Sequence, residues 1–260
     1  MPYFKMTTLR TFTLTISTVL LVCSFMTNPL VKTDKHLSKT DSLILDKYKY
    51  ELEKEYVDDA DSMTREQLDS IFYEGKTSFP ASDVVYSPDN SFKIFTIELE
   101  GCGAYCNSEW HSWLHFNLKG KEKIKKVDFT EIDTIYKLPD NKYLIIEKSW
   151  GRPASVLTVF CLDAQLVSFS PDSMIIHPIK YNHQDHLGFC QENSVQSEKE
   201  PFIKYNKDKK LLTYYYGKNY AYSNGIDTDT LREGQFKYIK GQFILDKEKI
   251  TVRPPTDDEK

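Results

Sequence analysis

The chain has 260 residues, with 40% hydrophobic and 13% aromatic content, enough for one β domain with an extra segment or for two small domains. Its charged residues, 28% of the total, are mixed in sign and leave a formal net charge of -4. That balance argues against nucleic acid as a partner, because phosphate binding needs a concentrated basic face.

The first ten residues carry Lys5 and Arg10 and no acid, and Thr11 to Met26 is a mostly apolar run. This is the layout of a secretory signal over residues 1–24, with Val22 and Ser24 at the -3 and -1 positions before Phe25. Two other readings of the segment stand beside cleavage. Leu20-Leu21-Val22-Cys23 resembles a bacterial lipobox that would acylate Cys23, although Val22 stands where a small residue is usual. The run could also remain as an anchor, but it is short and Thr-rich for a span of about 20 apolar residues. Against the remaining reading of no export, all three send the protein to the periplasm, the envelope or the exterior, where it would meet the membrane only through an N-terminal lipid or anchor.

Residues 25–40 are polar and read as a tether, followed by a helical segment over 41–78. Leu43, Leu45, Tyr48, Leu52 and Tyr56 predict an amphipathic helix over Asp41 to Val57. A second helix is expected from Arg65 to Glu74, capped by Thr64 with Gln67 in a capping box and stopped by Gly75. A β domain then spans 79–250, and residues 251–260 read as a disordered tail.

Seventeen Tyr and fifteen Phe suit pleated, half-buried strands. Strands are expected at Ser91 to Glu100, Glu109 to Leu118, Tyr143 to Lys148, Ser155 to Leu162, Leu211 to Tyr216 and Gly234 to Leu245. Between Glu109 and Leu118 both faces carry aromatics, which predicts a strand covered on both sides. Xaa-Asp turns recur at Asp89, Asp140, Asp172, Asp208 and Asp246, 51, 32, 36 and 38 residues apart. A mean near 39 is the size of one four-stranded propeller blade or a comparable meander. Tyr86-Ser-Pro-Asp-Asn-Ser-Phe-Lys-Ile-Phe-Thr96 resembles the Pro-Asp repeat of TolB-like β-propellers, and the turns at Pro139-Asp140 and Pro171-Asp172 repeat it. The resemblance covers about 40 residues and implies a propeller fold, with Asn or Ser where that family usually has Gly. The fold class expected is therefore mainly β: an antiparallel meander or small propeller-like repeat domain preceded by one or two short helices.

The cysteines agree with export. Apart from Cys23, they are Cys102, Cys106, Cys161 and Cys190, an even number in a chain bound for an oxidising compartment. Three pairings are open, with Cys102–Cys106 slightly favoured because Gly101 and Gly103 let the backbone turn.

Chemistry is less legible. His183-Gln-Asp-His186, with His177 upstream, supplies imidazole and carboxylate ligand types; His177, His183, Asp185 and His186 are the metal candidates, weighed against a polar surface loop. His111 and His115 lie too far apart along a strand to share one ion and read as covered side chains. Asp227-Thr-Asp229 lacks the acid pattern of a calcium loop and reads as a turn. The Lys119 to Lys126 stretch reads as a solvated loop. Tyr214, Tyr216, Tyr220 and Tyr222 form the tyrosine cluster best suited to contacting a protein or glycan ligand, with one face of the strand kept for core. No Gly-x-Ser-x-Gly elbow, HExxH or phosphate loop is present, and no cofactor is implied. The expected function is a non-enzymatic binding or interaction module of the cell envelope; the alternative is a secreted hydrolase with a cryptic, metal-dependent site.

Overall fold

A computed structural model describes residues 37–57, 60–74, 77–101, 107–118, 121–154, 157–170, 173–192, 195, 197, 199–221 and 227–253. The export segment, Cys23, Cys102, Cys106, Asp172 and Tyr222 lie outside the described residues.

Helix α1 (Lys39–Tyr56) and helix α2 (Arg65–Glu74) come first. The capping box of α2 forms in both directions: Gln67 N–H donates to Thr64 Oγ1 at 3.3 Å and Thr64 N–H donates to Gln67 Oε1 at 2.9 Å. Among the described residues thirteen strands follow in three consecutive antiparallel sheets. Sheet 1 is β1 (Thr77–Tyr86), β2 (Phe92–Gly101), β3 (Asn107–Leu118) and β4 (Lys121–Val127). Sheet 2 is β5 (Glu131–Lys137), β6 (Lys142–Ala154), β7 (Leu157–Phe169) and β8 (Met174–His177), with β9 (Leu187–Glu192) also pairing with β7. Sheet 3 is β10 (Phe202–Asn206), β11 (Leu211–Ala221), β12 (Asp227–Ile239) and β13 (Gln242–Arg253). The fold is thus mainly β, two four-stranded meanders on either side of a five-stranded sheet in chain order, preceded among the described residues by two helices.

The strand period of two sorts the core into layers. On sheet 2, Tyr143, Ile145 and Val167 pack against Phe92, Ile94 and Leu114 of sheet 1. Their neighbours Leu144, Ile146 and Leu166 point the other way, against Leu212, Tyr214 and Phe236 of sheet 3. Helix α1 covers the outer face of sheet 1, where Tyr48 stacks on Trp113 at 4.1 Å between ring centroids. The β3 strand is therefore covered on both faces, as its aromatics predicted. His111 and His115 are buried on the helix side, and His115 Nε2 lies 2.6 Å from the Tyr48 hydroxyl.

The Asp turns do not mark one period. Asp89, Asp140 and Asp208 fall in the first hairpin of each sheet, whereas Asp246 sits at a register shift inside β13. The sheets open at Thr77, Glu131 and Phe202, 54 and 71 residues apart, so the spacing near 39 mixes turns that occupy different places. Asp89 ties two sheets together: its Oδ2 accepts from Lys137 Nζ at 2.6 Å and from the Tyr143 hydroxyl at 2.9 Å, both on sheet 2. Desolvation raises its pKa, but the donors Lys137, Ser91, Tyr143 and Ser87 together hold the carboxyl well below the usual range.

Four local expectations are corrected. Gly234 to Leu245 is a hairpin, not one strand, because Lys240 (φ 48°) and Gly241 (φ 78°) make a two-residue turn of left-handed residues. Lys121–Val127 is an edge strand, not a loop; its exposed lysines discourage further pairing along the open edge. Asp227 and Asp229 lie in β12 rather than in a turn. Thr251 to Arg253 complete β13 rather than starting a tail.

Candidate functional site

Polar side chains of β6, β7 and β9, around Glu147, Asp163 and Gly188, line a cavity of about 760 Å³. Its centre is a row of cross-strand partners. Glu147 on β6 stands opposite Asp163 on β7, which stands opposite Gly188 on β9. Partners in register share a face, so the two carboxyl groups are neighbours. The adjacent pair on that face, Cys161 and Cys190, forms a disulfide that fixes β9 to β7.

Glu147 has only 3% of its surface exposed. Its Oε2 accepts from Thr130 N–H at 2.8 Å, and its Oε1 accepts from Gln165 Nε2 at 2.8 Å. Burial nevertheless pushes its carboxyl up to about 8, the Thr130 bond opposing and the Asp163 charge assisting. Asp163 is pushed up to about 6, again by burial first, with His186 pulling it down. Asp163 Oδ1 is buried and has no hydrogen-bond partner, while Oδ2 is 3.6 Å from His186 Nε2. Gly188 is required by this packing: a Cβ there would lie 2.3 Å from Asp163 Oδ2 and 2.9 Å from His186 Cδ2. The arrangement supplies a buried carboxyl of raised pKa at the back, an Asp163 oxygen without a hydrogen-bond partner in front, and an imidazole at the mouth.

Tyr181, Tyr216 and Arg232 form another wall of the cavity. Tyr216 stacks on Phe189 at 4.2 Å, and its hydroxyl lies 3.1 Å from that of Tyr181. Glu248 gathers this group. It accepts from Tyr181 at 2.6 Å and Tyr214 at 2.7 Å, and its Oε2 lies 3.3 Å from Arg232 Nη1. Burial is the main reason that all three tyrosine hydroxyls are pushed far above their ordinary pKa.

The residues singled out from the sequence divide among several places. Tyr214 has no exposed surface and belongs to the core, whereas Tyr216 reaches the cavity. The backbone of Tyr220 is in β11. Of the metal candidates only His186 lines the cavity. His183 (φ 67°) sits in a tight turn, Asp185 uses its backbone carbonyl to accept from Ile179 N–H at 2.9 Å, and His177 Nε2 lies 2.7 Å from Ser168 Oγ. The four are not assembled as a ligand set: among the described residues no three His, Cys, Asp or Glu side chains are placed to hold a metal ion. The reason is topological, since a β-strand, a left-handed turn and a connection send their side chains in different directions.

Glu147 and Asp163 escaped the sequence reading. A signal was present: each is a single acid in an apolar strand, in Tyr143-Leu-Ile-Ile-Glu147 and Phe160-Cys-Leu-Asp163-Ala164. Only the register shows that they face each other. No protein-family model, curated protein or solved structure matches this chain, so the likeness to TolB-like repeats rests on the Pro-Asp turns alone.

Proposed function

We propose that the protein is an exported, non-catalytic binding module of the cell envelope, whose protein or glycan ligand occupies the cavity at Asp163 and His186. The observation that carries this reading is the unused acceptor of Asp163 beside a cavity of about 760 Å³, within the usual size range of ligand sites. Three packed sheets and a cross-strand disulfide make a rigid frame for such a site. Binding is favoured over hydrolysis because Glu147, the group best poised to hold a proton, is buried with both oxygens engaged. At 3% exposure its carboxyl has almost no surface to offer a bound molecule. The Ser168–His177 pair, the nearest thing to a nucleophile and base, does not line the cavity.

Export is supported by the apolar N-terminal run and by a disulfide compatible with an oxidising compartment. Among the described residues no helix is long and apolar enough to cross a membrane. The test is native mass spectrometry of the protein isolated from its own envelope fraction. We expect a chain shortened near residue 24 or acylated at Cys23, carrying a ligand that His186→Ala or Asp163→Asn releases. A full-length chain confined to the cytoplasm would overturn export. Turnover of an ester or glycoside that Asp163→Asn abolishes would replace binding by hydrolysis.

A further inference from the structure

A second, smaller pocket of about 280 Å³ lies on the sheet-3 face of the same strands and shares Glu192 with the cavity above. Its floor is another row of register partners: Trp150 on β6, Phe160 on β7 and Gln191 on β9. The Trp150 and Phe160 rings are tilted against each other with centroids 4.4 Å apart. Glu200 and Pro201, from the connection that leads into β10, close one side. Trp150 is 59% exposed, although nearly all of an indole surface is apolar. Phe160 packs against one part of the indole at an interplanar angle of 41°, and much of the remaining surface is open. The described lining contains two carboxylates, Glu192 and Glu200, and no lysine or arginine.

An indole face beside a phenyl ring attracts a cation through the negative face of each π-system, and indole is the strongest of the aromatic side chains in this role. Two carboxylates at the rim add a field of the same preference. An anionic ligand would be repelled by the acids, and a neutral one would meet them only through hydrogen bonds, without the attraction a cation feels. We propose that Trp150, Phe160, Glu192 and Glu200 form a subsite for an organic ammonium group, either the head of a small quaternary amine or a lysine side chain of a peptide. The subsite deepens the binding reading and rests on it. Gln191 fits the same picture as a fixed wall, its Oε1 accepting from Gly217 N–H at 2.6 Å and so tying the pocket to sheet 3.

The experiment is calorimetric titration of the exported, disulfide-intact protein with four probes. These are choline, Nα-acetyl-lysine methylamide, the uncharged choline isostere 3,3-dimethylbutan-1-ol, and methyl glucoside. We expect choline or the lysine probe to bind about tenfold more tightly than the uncharged isostere, a cation–π difference at a partly exposed site. Choline alone would point to a free quaternary amine, and the lysine probe alone to a peptide. Trp150→Ala should abolish this binding. Glu200→Gln, an exposed change that leaves the strands intact, should weaken the charged probes and leave the isostere unaffected.

Equal binding of choline and its isostere overturns the ammonium assignment. Methyl glucoside binding that Trp150→Ala removes overturns it as well, while leaving the binding module standing. Failure of every probe at this pocket, with a ligand still captured at Asp163, overturns the subsite alone. Failure at both places overturns both readings.

Discussion

Glu147 gives the sharpest test of the geometry around the cavity. In the unfolded chain its carboxyl titrates near 4.5, and in the folded protein it is pushed up to about 8. Between these values the folded state holds a proton that the unfolded state has lost. The contribution is therefore fully present below pH 4.5 and is lost as pH rises toward 8. At about 1.36 kcal/mol per pKa unit, a rise from pH 5 to pH 8 removes on the order of 3–4 kcal/mol of stability through this residue. Burial leaves little solvent to screen the effect, since the residue is only 3% exposed. Glu147→Gln keeps the shape and cannot ionise. The new amide oxygen can accept from Thr130 N–H, and its NH₂ can donate to Gln165 once that amide turns over. His111 and His115, whose pKa values burial lowers, act in the opposite direction below about pH 6.5. The quantity to read is therefore the difference between variant and wild type, which cancels them. Urea unfolding at pH 5, 6, 7 and 8 should show the variant gaining about 3 kcal/mol relative to wild type across the series, with m unchanged. A difference that stays flat, or shrinks with rising pH, would refute the buried, protonated state of Glu147.

Two further outcomes follow from other parts of the structure. Asp89→Asn removes the charge that Lys137, Tyr143 and Ser91 share, and should cost about 2–3 kcal/mol at pH 7 in chemical denaturation. Because the folded pKa of Asp89 is depressed, its contribution is present above the unfolded value of 3.8 and lost on further acidification, so variant and wild type should converge at low pH; a constant gap would contradict the assignment. Joint replacement of Cys161 and Cys190 by Ser releases a link between residues 29 apart and should lower stability by about 3–4 kcal/mol, with a melting point lower by roughly 10 °C. An unchanged melting point would mean that β9 is held to β7 without the bond.

How much was legible beforehand depended on whether a signal was local. Helix α2 was readable to the residue because Thr64 and Gln67 cap it within a single turn. The edge strand at Lys121 was hidden because its four lysines imitate a solvated loop, although lysines also protect an open sheet edge. The hairpin at Lys240-Gly241 was hidden inside an aromatic-rich segment because lysine is an unusual residue at positive φ.

The sequence by itself determined the mainly β character, the helices ahead of the strands and the two-sided burial of β3. These follow from composition, alternation and capping, which act over a few residues. Tertiary structure decided the true repeat, three sheets opening 54 and 71 residues apart, and the partnership of Glu147 with Asp163 across β6 and β7. It also decided that Tyr214 is core while Tyr216 reaches a cavity. Each of these is a matter of register and of which sheet lies against which face. Pairing partners are set by long-range packing, and a slip of one residue would exchange every inward side chain for an outward one.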